Sequence, residues 1–357
     1  MRKKTDSNGK WGRKQTVMKN KTVAVREAVT EQETSLFWRE LRNYQERDIF
    51  PDVGQEDREY FSGQEYYNEI QKLHERKQNR CRYLFFQDKG TEFDGTYGGQ
   101  GSPDQVPSAL AETEDARLGQ NIVGIALTVI YDQEDGKCFL LEFCVLPEFR
   151  GGGMGRNCAK AFLAWAKEQG AAYVELNYGG LENRERFWKS MGFFPNGRDE
   201  WGEPLMLLPP TEDCPVTVEI LKDPKDWQLM KLENGYLAEI GEEMLSDEKK
   251  ERLERAVAEE KIVFFLARRG YRAVGMCSVS LCFSTFACRE TGSFEDFYVE
   301  PVFRKKGIGR MLAHAAQDWC RAQKVGSLSV CCAPCDEEMY QALGFTIRLG
   351  ASYVFMS

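Results

Sequence analysis

Hydrophobic and polar residues follow two periods along the N-terminal half of the chain, and these periods predict alternating strands and helices. Residues 21–26 place Val23 and Val25 on one face, which is typical of a half-buried strand. Residues 31–48 place Leu36 and Leu41 at helical spacing and predict an amphipathic helix. The elements predicted next are a helix over 57–78, strands over 83–87, 122–131, 139–145 and 173–177, a helix ending near Gln169, and a short helix over 182–191.

The same order of elements returns in the C-terminal half. A strand over 216–221 is followed by helices over 227–240 and 247–260. The remaining predicted elements are strands over 262–267, 273–281 and 292–299, a helix over 304–323, a strand over 327–332, a short helix over 337–343, and last strands that open at Gly344-Phe345.

Composition marks the boundaries between these regions. Residues 1–20 are basic and poor in apolar side chains, which predicts a disordered tail. Residues 88–119 are rich in Gly, Asp, Ser and Pro and predict a surface insertion, with a lid or a subunit contact as the alternative. Closely spaced prolines predict a linker over 210–215. We therefore expect two domains, over 21–209 and 216–357.

One stretch occurs twice and relates the two domains. Arg150 and Arg304 lie 154 residues apart, and the same residue types stand at the same distances around each of them. Each arginine is preceded by an acid at eight residues, Val at five, Pro at three and Phe at one. Each is followed by Gly at three and five residues and by a second Arg at six. An offset of this size indicates a duplicated domain rather than a short structural repeat.

The repeated stretch reads as a strand end, a glycine turn and the start of a helix. Glycine lets backbone N–H groups approach a ligand closely, and a helix N-terminus offers unpaired donors with partial positive charge. This arrangement suits a pyrophosphate, to which the arginines would add charge-assisted contacts; an ordinary tight turn is the alternative. Neither copy has the Gly-Lys-Ser/Thr ending of a nucleoside-triphosphate loop. The predicted binding residues are Arg150, Gly151, Gly152, Gly153, Gly155 and Arg156 in the first copy, and Arg304, Lys305, Gly307, Gly309 and Arg310 in the second.

Arg-x-x-Gly-x-Gly after a strand ending in Val-x-Pro resembles the acetyl-CoA signature of the GCN5-related N-acetyltransferase (GNAT) superfamily. The resemblance covers both predicted domains. It implies an α/β fold of the α+β kind, in which each domain is a mixed, mostly antiparallel sheet flanked by helices. It also implies acetyl-CoA as co-substrate, with its pyrophosphate on the glycine loop and its pantetheine beside the preceding strand. Backbone N–H groups near Val145 and Val299 would then polarise the acetyl carbonyl.

Carboxylates on the strand before each loop are the predicted general bases. Glu142 stands there in the first copy and Asp296 at the matching position of the second, while Glu295 points to the opposite face. Acids on an otherwise apolar strand invite raised pKa values, and a salt-bridged or exposed acid is the alternative. By the resemblance, Tyr340 holds the position of the general acid, with core packing as its alternative. The first copy has Trp188 there, and an indole cannot supply that proton.

Composition and charge narrow the function. A net charge of −8 argues against nucleic acid as the main partner and weakly favours cationic small substrates. No apolar run reaches about 18 residues and no secretory signal is present, so we expect no membrane partner and a cytoplasmic location. Twelve cysteines and two histidines predict reduced structural thiols and no metal site, although Cys331-Cys332-x-x-Cys335 has metal-like spacing.

These observations predict a tandem enzyme that transfers an acetyl group from acetyl-CoA to the primary amine of a small, cationic acceptor by direct attack. Aromatic and acidic residues over 56–67 are compatible with a cationic amine. One alternative is a non-catalytic acetyl-CoA-binding or interaction protein. Another is an acyltransferase with a different acceptor, such as a thiol-sugar conjugate or a protein. The sequence leaves open a homodimer and which domain turns over substrate.

Overall fold

The computed structural model describes residues 22–89, 121–199, 201–211 and 213–350. The predicted tail over 1–20 and nearly all of the insertion over 88–119 lie outside the described residues. Within those residues each half of the chain forms a sheet flanked by helices, which confirms the predicted fold class.

The first half is built on a sheet with seven described strands. These strands are β1 (Val23–Glu27), β2 (Arg80–Asp88), β3 (Ile122–Ile130), β4 (Lys137–Val145), β5 (Tyr173–Asn177), β6 (Phe194–Arg198) and β7 (Pro204–Leu208). They lie in the order β1-β2-β3-β4-β5-β7-β6, and every neighbouring pair is antiparallel except β4 with β5. The flanking helices are α1 (Glu31–Tyr44), α2 (Gln55–Ser62), α3 (Gln64–Glu75), α4 (Met154–Glu168) and α5 (Glu182–Ser190).

Helix α1 is well defined at its start and widens at its end. Thr30 and Glu33 form a capping box that satisfies N–H groups at the N-terminus. Beyond Tyr44 the helix continues as a π-helical turn over Gln45–Ile49, closed by a hydrogen bond from the Phe50 N–H to the Gln45 carbonyl. The single helix predicted over 57–78 is instead two helices, because Gly63 adopts an extended backbone between α2 and α3.

The second half repeats this plan with a smaller sheet. Its strands are β8 (Val216–Ile220), β9 (Ile262–Arg269), β10 (Arg272–Ser284), β11 (Arg289–Val299) and β12 (Leu328–Ser329), in the order β12-β11-β10-β9-β8. Its helices are α6 (Trp227–Ile240), α7 (Asp247–Ala258), α8 (Ile308–Ala322) and α9 (Glu337–Ala342). The prediction of strands from Gly344-Phe345 is wrong for residues 345–350, which are irregular. In the first half β7 pairs with the five-residue β5, whereas β12 offers only two residues for pairing.

The parallel pair in each half separates after a few residues. β4 and β5 are paired from Lys137 and Tyr173 to Leu140 and Leu176, and the pairing then stops. β11 and β12 are paired at only two positions. In each half the sheet therefore splits beside the strand that precedes the glycine loop.

A buried cluster of charges joins the two halves. Arg272, at the start of β10, is fully buried and donates two hydrogen bonds to Glu300 of its own half, at 2.9 and 2.7 Å. It also reaches the first half, where it contacts Glu175 on β5 at 2.8 Å and Asp135 at 3.2 Å. One lysine from each half approaches the same carboxylates. This interdomain cluster consists of Asp135, Lys137, Glu175, Lys231, Arg272 and Glu300.

Candidate active site

A cleft of about 330 Å³ opens in the first half where β4 and β5 diverge. Its floor is β4 over residues 140–143, and its sides are the end of β5, α5 and the first turn of α4. Tyr44 and Ile49 line its far side, on the end of α1 and the π-helical turn. The cleft therefore lies between the glycine loop and the helices on the other face of the sheet.

A bulge in β4 sets the direction of Glu142 in this cleft. Leu127 pairs with Glu142 but Thr128 pairs with Leu140, so Leu141 is an extra residue in β4. Such a bulge locally re-aims side chains. Glu142 is partly buried and accepts hydrogen bonds from the Tyr66 hydroxyl at 3.1 Å and the Gln45 amide at 3.3 Å. The candidate base is thus held by neutral donors from α3 and the π-helical turn.

The surroundings of Glu142 suit a general base. Burial raises the pKa of Glu142 to about 7, and hydrogen bonds from Tyr66 and Gln45 and the charge of Arg184 only partly oppose this rise. A carboxyl group with a pKa in this range can both accept and release a proton near neutral pH, as general acid–base catalysis requires.

The glycine loop of the first half has the backbone that its sequence suggests. A 3₁₀ turn over Pro147–Phe149 leads to Gly151, Gly152 and Gly153, which all have positive φ values of 87°, 54° and 85°. Gly153 caps α4 without a side-chain hydrogen bond. A Cβ built on any of the three glycines would meet no atom within 4 Å, so a ligand can approach this backbone freely. These features fit a pyrophosphate at a helix N-terminus.

The arginines that flank this loop are engaged with the protein. Arg150 donates from Nε to the Val145 carbonyl at 2.9 Å and from Nη1 to Asp48 at 3.0 Å, and it makes a second contact with Asp48 through Nη2. Arg156 contacts the Ser190 hydroxyl at 3.3 Å. The predicted contacts of these arginines with pyrophosphate stay predictions.

The backbone N–H groups of Val145 and Val299 point into the gaps beside their strands. The N–H of Leu146 binds the Val123 carbonyl on β3 at 2.9 Å. Since successive N–H groups of a strand point to opposite sides, the N–H of Val145 points away from β3, toward the divergence from β5. The N–H of Glu300 likewise binds Val274, so that of Val299 points toward the divergence from β12.

The second half reproduces the loop with different residues. Lys305 takes the place of Gly151 and has a positive φ of 61°, and Gly307 caps α8 with a φ of 84°. Arg304 donates from Nε to the Val299 carbonyl at 2.8 Å and forms an ion pair with Glu239 on α6. The side chain of Arg310 is exposed. The backbone is therefore similar at the first and third of these positions, whereas Lys306, in place of Gly152, has no positive φ.

The strand acids of the second half lie in a different setting. Asp296 sits at an irregularity of β11 with a φ of 50° and accepts a hydrogen bond from the Ser278 hydroxyl. Burial raises the pKa of Asp296, and burial together with the charge of Asp296 raises that of Glu233 on α6 to about 9. Glu295 is exposed and accepts hydrogen bonds from Ser280 and from the Ser293 hydroxyl.

Tyr340 packs within an aromatic group in the second half. Its ring centre lies 6.0 Å from that of Phe297, and burial raises the pKa of its hydroxyl to about 12. The Phe297 ring also covers the first turn of α8, where a Cβ on Gly309 would lie 2.9 Å from the ring edge. In the first half Trp188 is buried 5.2 Å from the equivalent Phe143. The predicted acid role of Tyr340 stays a prediction.

Some residues around Glu142 and Asp296 were missed by sequence reasoning. The tyrosine-rich segment over 56–67 pointed to the neighbourhood of Tyr66, but not to its contact with Glu142. Gln45 stands among polar residues at a helix end, so no pattern distinguishes it. Glu233 stands four residues after Leu229 and four before Leu237, and an acid on that apolar face of the predicted helix is the signal that could have identified it.

Two negative observations concern the described residues alone. No helix among them has the length and apolarity needed to cross a membrane. In the same part of the chain, no group of three or more His, Cys, Asp or Glu side chains is arranged to hold a metal ion.

Several solved structures of acetyltransferases are similar to part of this chain, and nearly the whole of each aligns with about 40% of it. An aminoglycoside acetyltransferase from an uncultured soil metagenomic sample is 18% identical, with a TM-score of 0.36, over 40% of this chain and 95% of its own. A Trypanosoma brucei acetyltransferase is 18% identical, with a TM-score of 0.34, over 40% of this chain and 100% of its own. Glucosamine-6-phosphate N-acetyltransferase from Arabidopsis thaliana is 17% identical, with a TM-score of 0.33, over 40% and 97%.

Sequence comparison identifies the family. No curated protein is significantly similar to the chain. The family model described as "Acetyltransferase (GNAT) family" matches it twice, over residues 64–193 and 227–345, and the two matches together cover more than half of the chain. Each match contains one copy of the strand, glycine loop and helix described above. The chain therefore belongs to the GNAT family of acetyltransferases, which use acetyl-CoA, and it carries the family's domain twice.

Proposed function

We propose that the first half binds acetyl-CoA in the cleft between β4 and β5 and acetylates the primary amine of a small acceptor. The observation that carries this proposal is the position of Glu142. It lies on the floor of the cleft, is held by two neutral donors, and has its pKa raised to about 7 by burial. An amine that enters the cleft beside β4 meets a carboxylate able to accept its proton.

The residues present fit the co-substrate. The open backbone of Gly151–Gly153 and the first turn of α4 would hold its pyrophosphate, and β4 would lie beside its pantetheine. When bound, acetyl-CoA supplies the acetyl group as a thioester. The N–H of Val145 points toward the gap beside β4 and would donate a hydrogen bond to the carbonyl oxygen, where negative charge develops during attack.

The other steps fall to side chains of the cleft. Glu142 removes a proton from the acceptor ammonium, directly or through water, so that the neutral amine can attack. Trp188, at the position of the family's tyrosine, is buried, and its indole N–H is too weak an acid to protonate the departing thiolate. Tyr44 and Tyr178 are hydroxyl-bearing residues that line the cleft and are our candidates for this proton transfer.

Arg184 also lines the cleft, and it is the Glu142 carboxylate on the floor that favours a cationic amine over an anionic acceptor. A volume of about 330 Å³, part of which the pantetheine arm would occupy, restricts the acceptor portion that can enter to a small group. For the second half we propose cofactor binding without turnover as the second candidate. The observations that favour it are the intact loop and the setting of Asp296, which is bound by the Ser278 hydroxyl of the neighbouring strand and faces a second buried acid, Glu233.

A substitution of Glu142 tests this proposal. We expect Glu142→Gln to lower kcat by a factor of about 10² to 10⁴, the usual contribution of a general base, while acetyl-CoA still binds. Transfer to a panel of primary amines would be followed by release of free CoA thiol, and binding by calorimetry. In wild type, kcat/KM should rise with pH through about 7, because Glu142 is active when deprotonated.

Asp296→Asn is the matched control in the second half, and we expect it to leave the rate within about threefold of wild type. Full activity of Glu142→Gln together with loss of activity in Asp296→Asn would move the active site to the second half. Absence of acetyl-CoA binding in the wild-type protein would overturn the proposal altogether.

A further inference from the structure

The π-helical turn over Gln45–Ile49 carries two side chains that reach different parts of the proposed site. The Gln45 amide donates to Glu142 on the floor of the cleft at 3.3 Å. Three residues later, Asp48 contacts Arg150 at the start of the glycine loop. π-helical turns are rare and occur frequently at functional sites. One short turn therefore touches both the candidate base and the candidate pyrophosphate loop.

Arg150 is fixed at both ends of its guanidinium group. Its Nε binds the carbonyl of Val145, the residue whose N–H points into the divergence of β4 and β5. Its two terminal nitrogens bind the two carboxylate oxygens of Asp48, a geometry more specific than a single ion pair. These hydrogen bonds, with two further ones from Arg47, lower the pKa of Asp48 to about 2, so the pair stays charged throughout the neutral range.

The second half repeats this connection with other residues. Arg304 binds the Val299 carbonyl at 2.8 Å and pairs with Glu239 near the end of α6. In each half the loop arginine thus joins the strand end to an acid at or just beyond the end of the helix that follows the first strand. Two halves with different surrounding sequence share this arrangement, which argues against a chance surface ion pair.

We propose that Asp48 is a positioning residue, whose ion pair with Arg150 connects the glycine loop to the π-helical turn and so holds Gln45 against Glu142. We call the Asp48–Arg150 ion pair the strap. The inference rests on the proposed function of the first half, because it assigns the strap to the control of Glu142. It gives Arg150 a role in joining the two parts of the site.

The strap has a measurable consequence for the proton affinity of Glu142. The Gln45 amide stabilises the charged carboxylate, so its removal makes that form less favourable. The other groups that face Glu142 are Tyr44 from α1, Tyr66 from α3 and Arg184 from α5, and they do not belong to the strap. Loosening the turn should therefore act on Glu142 through Gln45.

The experiment compares Asp48→Asn, Gln45→Met and the double variant. The titration of Glu142 would be followed by ¹³C NMR of labelled glutamate in the protein without cofactor, with Glu142→Gln identifying its signal. We expect each single variant to move the midpoint upward by about 0.5 to 1 pH unit, the equivalent of one neutral hydrogen bond. The double variant should move it no further than Gln45→Met alone.

Asp48→Glu and Glu239→Gln are the controls. Asp48→Glu keeps the carboxylate and should restore most of the wild-type titration, while Glu239→Gln breaks the equivalent contact of the second half and should leave Glu142 unchanged. A merely structural role of Asp48 would lower the melting temperature of Asp48→Asn without moving the titration, and that result overturns the inference.

Calorimetry of CoA binding separates the remaining outcomes. The strap predicts that Asp48→Asn binds CoA within about threefold of wild type. A loss of affinity without a change in the Glu142 titration would mean that Asp48 orients Arg150 toward pyrophosphate, and it would overturn the inference. If Glu142→Gln retains full activity, the proposed function fails, and the titration still decides whether Asp48 acts on Glu142 through Gln45.

Discussion

The two halves of the chain have nearly the same loop and very different surroundings for the acid beside it. In the first half Glu142 is held by Tyr66 and Gln45, from helices that precede it by many residues. In the second, Asp296 is bound by Ser278 of the neighbouring strand and faces a second buried acid, Glu233. The repeated motif thus sets how a cofactor could be held, whereas the flanking helices set the chemistry next to it.

This difference shows that neighbouring residues determine the backbone of the loop, whereas distant residues determine the surroundings of the strand acid. Positive φ values recur at Lys305 and Gly307, the counterparts of Gly151 and Gly153, although Lys306 lacks the positive φ of Gly152. The environment of the strand acid depends on which side chains the helices bring over it. Substitutions at the contact between the halves, or at equivalent positions of each half, therefore test how far the two halves differ.

The largest loss of stability is expected from substitution of Arg272, which contacts buried acids of both halves. Arg272→Met leaves Asp135, Glu175 and Glu300 buried without their central cation, which should lower the free energy of unfolding by about 3–5 kcal/mol. Urea unfolding followed by tryptophan fluorescence would measure the loss. Arg321→Met, which removes an exposed ion pair with Asp318, should cost under about 1 kcal/mol.

The pH dependence of this loss has a definite sign. The positive charges around Glu175 and Glu300 lower the pKa of both carboxyls, despite the opposing effect of burial. Their contribution is present above the pKa of the unfolded state and disappears as pH falls through the lowered values in the fold. The gap between wild type and Arg272→Met should therefore narrow on acidification. Equal losses for Arg272→Met and Arg321→Met would show that the halves do not depend on this cluster.

A smaller effect, on CoA binding, is expected from equivalent substitutions in the two glycine loops. Gly153→Glu places a strained backbone and a negative charge where the pyrophosphate is proposed to lie, and should weaken CoA binding at least about 100-fold, equivalent to ~2.7 kcal/mol. Gly307→Glu makes the same change in the second half. Calorimetric stoichiometry of CoA binding would show whether each variant removes its own site.

Gly170→Glu is the matched control for these two variants. Gly170 has a φ of 84° and open surroundings, as Gly153 does, but it lies just beyond the opposite end of α4. It should show the backbone strain as a lower melting temperature without a change in binding. If Gly170→Glu weakens binding as much as Gly153→Glu, the loop has no special role.

The smallest expected effect concerns Gly155 and Gly309, the last glycine of each loop. A Cβ on Gly155 would lie 3.5 Å from the Phe187 ring, an ordinary contact, so Gly155→Ala should stabilise the protein by up to about 1 kcal/mol through reduced chain entropy. A Cβ on Gly309 would lie 2.9 Å from Phe297, so Gly309→Ala should cost about 1–3 kcal/mol through overpacking. Differential scanning calorimetry of both variants would reveal opposite changes in stability, and changes of the same sign would contradict the different contacts of Gly155 with Phe187 and of Gly309 with Phe297.

Sequence patterns predicted the parts of the fold that depend on neighbouring residues. The repeated stretch located both loops, and alternation placed Glu142 and Asp296 on the strands before them. The succession of strands and helices along the first half, up to residue 191, could be anticipated because those elements have a clear period. The shortness of β12 and the break at Gly63 could not, since both depend on local backbone details that periodicity does not record.

The parts of the site that sequence patterns did not predict depend on contacts between distant residues. Gln45 and Glu142 are separated by 97 residues, and Arg272 and Asp135 by 137. No local pattern indicates that an amide at a helix end will face a strand acid, or that an arginine beginning a strand will be fully buried. Such positions follow from how the sheets and helices assemble, and the π-helical turn that aims Gln45 is visible only in the folded chain.

The interdomain cluster also determines which surfaces can recognise one another. The first half contributes Asp135, Lys137 and Glu175, one negative charge in excess, and the second contributes Lys231, Arg272 and Glu300, one positive charge in excess. Two identical halves meeting through this face would bury unbalanced charge, whereas unlike halves neutralise each other. The duplicated domains thus behave as an internal heterodimer. Two chains could exchange halves through this face, but self-association of intact chains would have to use another one.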